Sequence, residues 1–288
     1  MSAEASTPAP PTELRAVAYP PAWRIIAAIL VSLSRGCLPL LLLTVLLARD
    51  PPITPPMLLR ATTLLALMPG IAAWLIARAF AATLSVRGPD LVLQRRDLRL
   101  DVPCASIVRV TAWTVPLPGP GVSLWLRSGR RLRYGLQIAD PTRLLAECGV
   151  AGAGATMTHP SLVYAHAKSV VGPWRWHHFL VKYVVFALVP TAVLFNAHQY
   201  IAYGGTLGQY YLLGLAAYLQ TFFLYWTTLI IYLVLYASVL RGAVEALAHL
   251  AAWVVPARAV AVRRGAERLS SVLYYGGVPV LLALRFLA

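Results

Sequence analysis

The sequence predicts an α-helical polytopic membrane protein of four or five transmembrane helices, with a small, mainly β domain inserted between the second and third. Three observations carry that prediction. Apolar residues make up 59% of the 288-residue chain and charged residues 12%, with a mean hydropathy of +0.69, against about 45–50% and about 25% in soluble domains. Several apolar runs reach the roughly 20 residues that a helix needs to cross the hydrocarbon core. Between residues 83 and 150 the runs shorten to strand length and are separated by turn signals.

Taken in order, residues 1–22 are rich in Ala, Pro and Thr and read as a disordered tail. No basic segment precedes the first apolar run and no small-residue cleavage site closes it, which predicts an uncleaved anchor. The transmembrane hairpin is placed at 23–81, with spans at 25–48 and 57–80 joined through Arg49, Asp50 and the Pro-rich turn Pro51–Pro56. A linker is expected at 151–176, two further spans within 177–240 (179–201 and 210–240), and a basic interfacial helix at 241–271. Residues 272–288, shortened as an apolar run by Gly276, Gly277 and Pro279, form a fifth span or a re-entrant helix. The stretch from Trp174 to Phe179 sets aromatic rings beside basic groups, the composition of an interface anchor.

Charge predicts orientation. The formal net charge is +15, almost all of it arginine, and Lys/Arg excess near span ends marks cytoplasmic loops. Arg78, Arg87, Arg95 and Arg96 follow the second span, Lys168, Arg175 and Lys182 flank the third, and Arg241, Arg258, Arg263, Arg264 and Arg268 follow the fourth. The segment 202–209 carries no charge. The N-terminus and the β domain are therefore expected on the cytoplasmic side of a bacterial inner membrane. A basic balance of this origin implies the lipid bilayer and anionic headgroups as partners and no nucleic acid.

The inserted domain is read as short strands at 84–86, 91–94, 98–102 and 107–115, the irregular run Pro116–Gly121, a hairpin of 122–127 with 132–138, and a helix at 140–148. Asp140 caps that helix and Pro141 opens it. Pro103 and Ile107 form a Pro-x-x-x-Ile step into the longest strand, and Asp140-Pro141 stands before the terminal helix. In this order and in these motifs the segment resembles bacterial pleckstrin-homology-like domains embedded in membrane proteins. The resemblance covers about residues 83–150 and implies a curled sheet that binds proteins or lipids and catalyses nothing. The turn arginines Arg127, Arg130, Arg131 and Arg133 are candidates for a phosphate-bearing headgroup or an acidic partner, against the plainer reading of solvated turn charges.

No catalytic, cofactor or metal signature emerges. Gly152–Thr156 lacks the lysine of a phosphate loop, and the three cysteines, Cys37, Cys104 and Cys148, have neither disulfide nor zinc spacing. No carboxylate lies inside an expected span, where proton-coupled carriers place theirs. His177, His178 and His249 are candidates for a shared interfacial site, with ordinary hydrogen-bonded roles the alternative. Arg35 is the one charge deep in a span, either functional or interfacial. Tyr211, Tyr218, Tyr225 and Tyr232 recur every seventh residue, a spacing that keeps one helix stripe in register. That stripe packs on the chain's own spans, docks another membrane protein, or lines a lipid-like cavity. The function these features predict is a non-catalytic scaffold, assembly or accessory subunit. The alternative is a membrane-embedded enzyme or carrier for a lipid or polyprenyl-type substrate.

Overall fold

The computed structural model describes residues 13–47, 54–148, 158–171 and 176–287. Residues 1–12, Arg49, Asp50, the first half of the Pro-rich turn, Gly152–Thr156, Trp174 and Arg175 lie outside them. The elements run β1 (Glu13–Tyr19), α1 (Pro21–Leu47), α2 (Pro55–Ala79), β2 (Ala81–Arg87), β3 (Asp90–Arg95), β4 (Leu98–Pro103) and β5 (Ile107–Ala112). There follow β6 (Gly121–Leu126), β7 (Gly135–Ile138), α3 (Pro141–Cys148), α4 (Pro160–Val171), α5 (His177–Tyr203), α6 (Gly208–Val254) and α7 (Ala259–Leu287). The helices α1, α2, α5 and α6 are long and apolar enough to cross a membrane. The chain divides into two compact units, one of residues 1–32, 71–170 and 249–260, the other of 33–70, 171–248 and 261–288.

The first unit is built on a seven-stranded antiparallel sheet in the order β4-β3-β2-β1-β7-β6-β5. β1 sits near its middle, pairing Val17 with Ala81 of β2 and Ala16 with Ile138 of β7. Alternate strand residues face one core, among them Leu84, Leu91, Leu93, Val122, Leu124 and Leu136, with Leu144 of α3 and Leu162 of α4 closing it. Each such Leu or Val contributes about 1.5–3 kcal/mol on burial. Cys104 and Cys148 bring their sulfurs to 2.9 Å at the edge of this core.

Two junctions tie this sheet to the apolar helices. Tyr19 ends β1 and Pro21, preset for a first helical turn, opens α1. At the other end Phe80 alone separates α2 from β2: its N–H donates to the Ile76 carbonyl (3.1 Å) and its carbonyl accepts from the Ala18 N–H (2.9 Å). The strands that receive the two helices are each other's neighbours.

In the second unit Leu58, Ile231 and Leu235 are buried with Leu38, Leu41 and Val45 around them, which packs α1, α2 and α6 together. Ala187, Leu233, Ala237 and Tyr274 join α5, α6 and α7. Two helices carry π turns, at Thr63–Leu67 in α2 and Leu180–Val185 in α5. The first precedes Pro69, which has no N–H for the Leu65 carbonyl. α6 is broken at Gly214 (φ 82°, ψ 172°), a conformation open to glycine alone. Across the break, Gln199 and Gln209 form a buried polar knot: Gln199 Nε2 donates to Gln209 Oε1 (2.7 Å), and Gln209 Nε2 to Thr221 Oγ1 (2.9 Å).

Four expectations are corrected. The tail at 1–22 contains β1 and the start of α1, because the small apolar residues Ala16 and Ala18 fit the sheet core beside strands far along the chain. The linker at 151–176 contains α4, whose Leu162 belongs to that core. No interfacial helix spans 241–271: α6 continues to Val254, Pro256–Arg258 makes a turn, and α7 starts at Ala259. Finally, the run from 272 to 287 is no separate element, since α7 starts at Ala259 and runs through Gly276, Gly277 and Pro279.

Candidate functional site

The first unit holds a cationic platform. Trp113 follows β5, and the N termini of β6 and β7 approach its indole with Gly121 and Gly135, where a Cβ would come within 2.8 Å of the ring. Only glycine permits that closeness, so both positions serve the tryptophan. The Trp113 Nε1–H donates to Ser123 Oγ at 3.1 Å, and Arg131 donates to the same oxygen. Arg24, in the first turn of α1, lays its guanidinium 4.6 Å from the Trp113 ring centroid, a cation–π contact. Arg24 and Arg131 are close enough to repel each other. Among the described residues neither has a carboxylate partner. Arg24 on the Trp113 face and Arg131 on Ser123 Oγ set two cations near each other, and with the positive end of the α1 N-terminus they favour an anion there.

Around the platform lies an aromatic and basic belt. Phe80 packs on Tyr19 (6.2 Å between centroids) and Trp23 (5.8 Å), with Arg95 5.5 Å from its ring. Burial pushes the Tyr19 hydroxyl above its ordinary pKa. Asp140 ties α3 to α4: Oδ1 accepts from Thr142 N (3.1 Å), and Oδ2 meets Ser169 Oγ and His166 Nδ1 at 3.2 Å. Burial alone would raise the Asp140 pKa, but hydrogen bonds from Thr142 and His166 outweigh it and hold the carboxyl below the usual carboxylate range.

The second unit holds a buried polar cluster that sequence reasoning missed. Lys182, on the π turn of α5, is buried with Nζ 4.2 Å from the Tyr274 ring centroid and 5.6 Å from that of Tyr183. Tyr274 Oη donates to the Lys182 carbonyl (2.9 Å). Nearby, Arg263 is fully buried and meets both oxygens of Glu245, at 3.0 and 3.2 Å, and Glu267 at 3.3 Å. Arg241 completes a closed set with Glu245 (2.7 Å) and Glu267 (3.3 Å). The signal was the spacing of Arg241 to Glu245 and Arg263 to Glu267, each four residues apart on a helix.

The sequence candidates are distributed as follows. All four turn arginines are exposed: Arg131 joins the platform through Ser123, and Arg127, Arg130 and Arg133 stand on the same β6–β7 turn. Arg35 is exposed on α1. The tyrosine stripe does not hold as one line: Gly214 breaks the helix between Tyr211, which is exposed, and the other three. Tyr218 and Tyr225 pack on Phe195 at 4.9 and 6.1 Å, Tyr225 also on His198 at 5.3 Å, and Tyr232 borders the Leu58 cluster. His177 and His178 are exposed with rings 4.4 Å apart. His249 belongs to the other unit, where it accepts from Trp253 Nε1 (3.2 Å) and meets Tyr164 edge-on. Among the described residues no three His, Cys, Asp or Glu gather as a metal site. Comparison of the chain with known protein families, with curated proteins and with solved structures found no match.

Proposed function

We propose that the chain is a membrane-embedded scaffold, assembly or accessory subunit, non-catalytic, whose sheet domain is the recognition module. The observation that carries this reading is the pair of direct junctions, Tyr19 to Pro21 and Ala79 to Ala81. A sheet joined through two neighbouring strands to two membrane-length helices keeps whatever it binds tethered beside the bilayer. The antiparallel sheet closed by a helix after Asp140-Pro141 suits a pleckstrin-homology-like module. The Arg24–Trp113–Arg131 platform suits a phosphate-bearing headgroup or an acidic segment of a partner. The proposed setting is a bacterial inner membrane with the sheet domain on the cytoplasmic face, as the arginine distribution supports.

Photo-cross-linking from sites on the sheet in intact cells, followed by mild-detergent purification and mass spectrometry, tests the proposal. One integral membrane protein recovered in near-stoichiometric amount is expected. A chain recovered alone, or turnover of a lipid-linked substrate by the purified chain, overturns it. The second outcome would favour the enzyme or carrier reading, for which Lys182 and its tyrosines supply the polar groups.

A further inference from the structure

We infer that the exposed face of α1 around Arg35 docks a transmembrane helix of a partner protein, one that carries an Asp or Glu at mid-bilayer depth. The inference rests on the scaffold reading and names the chemistry of the partner. Its starting point is where Arg35 sits. Twelve residues separate it from Trp23, at the aromatic and basic start of α1, and twelve from Leu47 at the end. At 1.5 Å per residue each distance is about 18 Å. In a hydrocarbon core of about 30 Å the guanidinium is then near the midplane, farther from either interface than an extended arginine side chain reaches. Snorkelling, the usual relief for a basic residue in a span, is closed to it.

The other relief is a partner inside the protein, and the packed side of α1 faces away. Ser34 gives its hydroxyl to the Ala66 carbonyl (2.7 Å), and Leu38, Leu41 and Val45 pack on the Leu58 cluster. Arg35 is exposed together with Ser32, Gly36, Leu40 and Leu43. Among the described residues it has no hydrogen bond and no ion pair. The face is shaped for another helix: Ser32 and Gly36 are four residues apart, and a Cβ on Gly36 would meet nothing within 4 Å, so a second backbone can come close.

What must come with that helix is negative charge. A second copy of this chain does not bring it. The segments Pro21–Leu47, Pro55–Ala79 and His177–Tyr203 contain no Asp or Glu. Glu245 of α6 and Glu267 of α7 are both engaged by Arg241 and Arg263. The occupant is therefore a different protein whose span offers a carboxylate at the depth of Arg35, the arrangement in which each buried charge removes the cost of the other.

The test uses the full chain, donor-labelled and reconstituted in phosphatidylcholine vesicles at pH 8, with acceptor-labelled synthetic Leu/Ala transmembrane peptides carrying one central Glu, Gln or Leu. Energy transfer reads association. The central-Glu peptide is expected to associate at least tenfold more tightly than the Leu peptide, and to lose that gain when its Glu is moved to the peptide end. R35L should abolish the gain and R35K should keep part of it. G36L, which leaves the charge in place but blocks close approach, should weaken association several-fold. Unchanged tryptophan emission and circular dichroism establish that a variant is folded, and the Arg-retaining G36L decides if R35L is not. Equal association of the Glu and Leu peptides, or an undiminished Glu gain in R35L, overturns the inference. Because no native partner is needed, that failure is separate from failure of the scaffold reading, which the cross-linking decides.

Discussion

Arg263→Met removes the most deeply buried charge among the described residues while keeping much of its bulk. In the native chain the guanidinium, with 1% of its side chain exposed, sits between Glu245 and Glu267, whose side chains are 25% and 21% exposed. Two opposite charges about 4 Å apart gain about 4 kcal/mol at an effective dielectric of 20. Removing one partner of a buried pair costs about 3–5 kcal/mol, because the other is left uncompensated. Here the two carboxylates keep Arg241, 43% exposed, and some access to water, which puts the expected loss near the lower end, about 3 kcal/mol. Reversible unfolding in mixed micelles of a mild detergent and SDS, followed by tryptophan emission, measures it. A double-mutant cycle with Glu245→Gln should give a coupling of about 2 kcal/mol, since the two changes disturb one network. The exposed pair Arg99–Asp101, with side chains 59% and 47% exposed, is the control, and Arg99→Met should cost under about 0.5 kcal/mol. A loss below about 1 kcal/mol for Arg263→Met, or additivity within about 0.5 kcal/mol in the cycle, refutes the claim that this network holds α7 to α6.

Two further outcomes are expected. The Asp140 carboxyl has a folded pKa below its unfolded value, so its contribution is complete above about pH 4 and is lost as the pH falls through the folded pKa. Thermal melts from pH 7 to pH 2 should therefore show an acid-side loss that Asp140→Asn reduces; because Asn keeps the capping acceptor and loses only the charge, that variant should be destabilised by under about 1 kcal/mol at pH 7. If the variant follows the same acid profile as the native chain, the carboxylate is not what senses the acid. Tyr218 and Tyr225 both pack on Phe195, so changing them together to Leu should destabilise the isolated chain by about 1–3 kcal/mol, at about 0.5–1.5 kcal/mol per aromatic pair. An unchanged melting temperature would mean that these rings serve a surface other than the chain's own core.

The apolar helices were legible because their signal is local: length and hydropathy suffice to place α1, α2, α5 and most of α6. β1 was not legible, and the reason is physical. Glu13–Tyr19 is short, small in side-chain volume and preceded by Pro-rich sequence, and its partners lie after the helical hairpin (β2) and across the whole domain (β7). A strand defined by pairing partners rather than by its own alternation leaves little trace in a window of seven residues. The same holds for the platform. Arg131 stood out as one of four turn arginines, but only the fold brings Arg24 to the same tryptophan, and only the close approach of Gly121 and Gly135 shows that the ring position is fixed. The seven-residue tyrosine spacing is real in the sequence and broken in space, because a single glycine with φ 82° outweighs it.

The polar groups inside the apolar helices separate into those whose needs are met and those whose needs are not. A π turn lengthens the ladder by one residue and leaves carbonyls short of donors. Both such turns here are repaired from a neighbouring helix. Ser34 Oγ reaches the Ala66 carbonyl in α2, while Trp226 Nε1 (3.1 Å) and Tyr274 Oη (2.9 Å) reach the Val184 and Lys182 carbonyls in α5. The buried glutamines at Gly214 pair with one another. These irregularities are thus structural joints, each defined by the side chain that completes it, and a π turn in this protein is no argument for a ligand. Against that background the exceptions carry information. Thr62 Oγ1 is buried without a partner among the described residues, a neutral hydroxyl that costs about 1–3 kcal/mol. Arg35 is exposed on α1 and has no hydrogen bond or ion pair among the described residues. The described helices thus complete the carbonyls of their π turns and their paired amides from their own side chains, and Arg35 differs in having no such partner among the described residues.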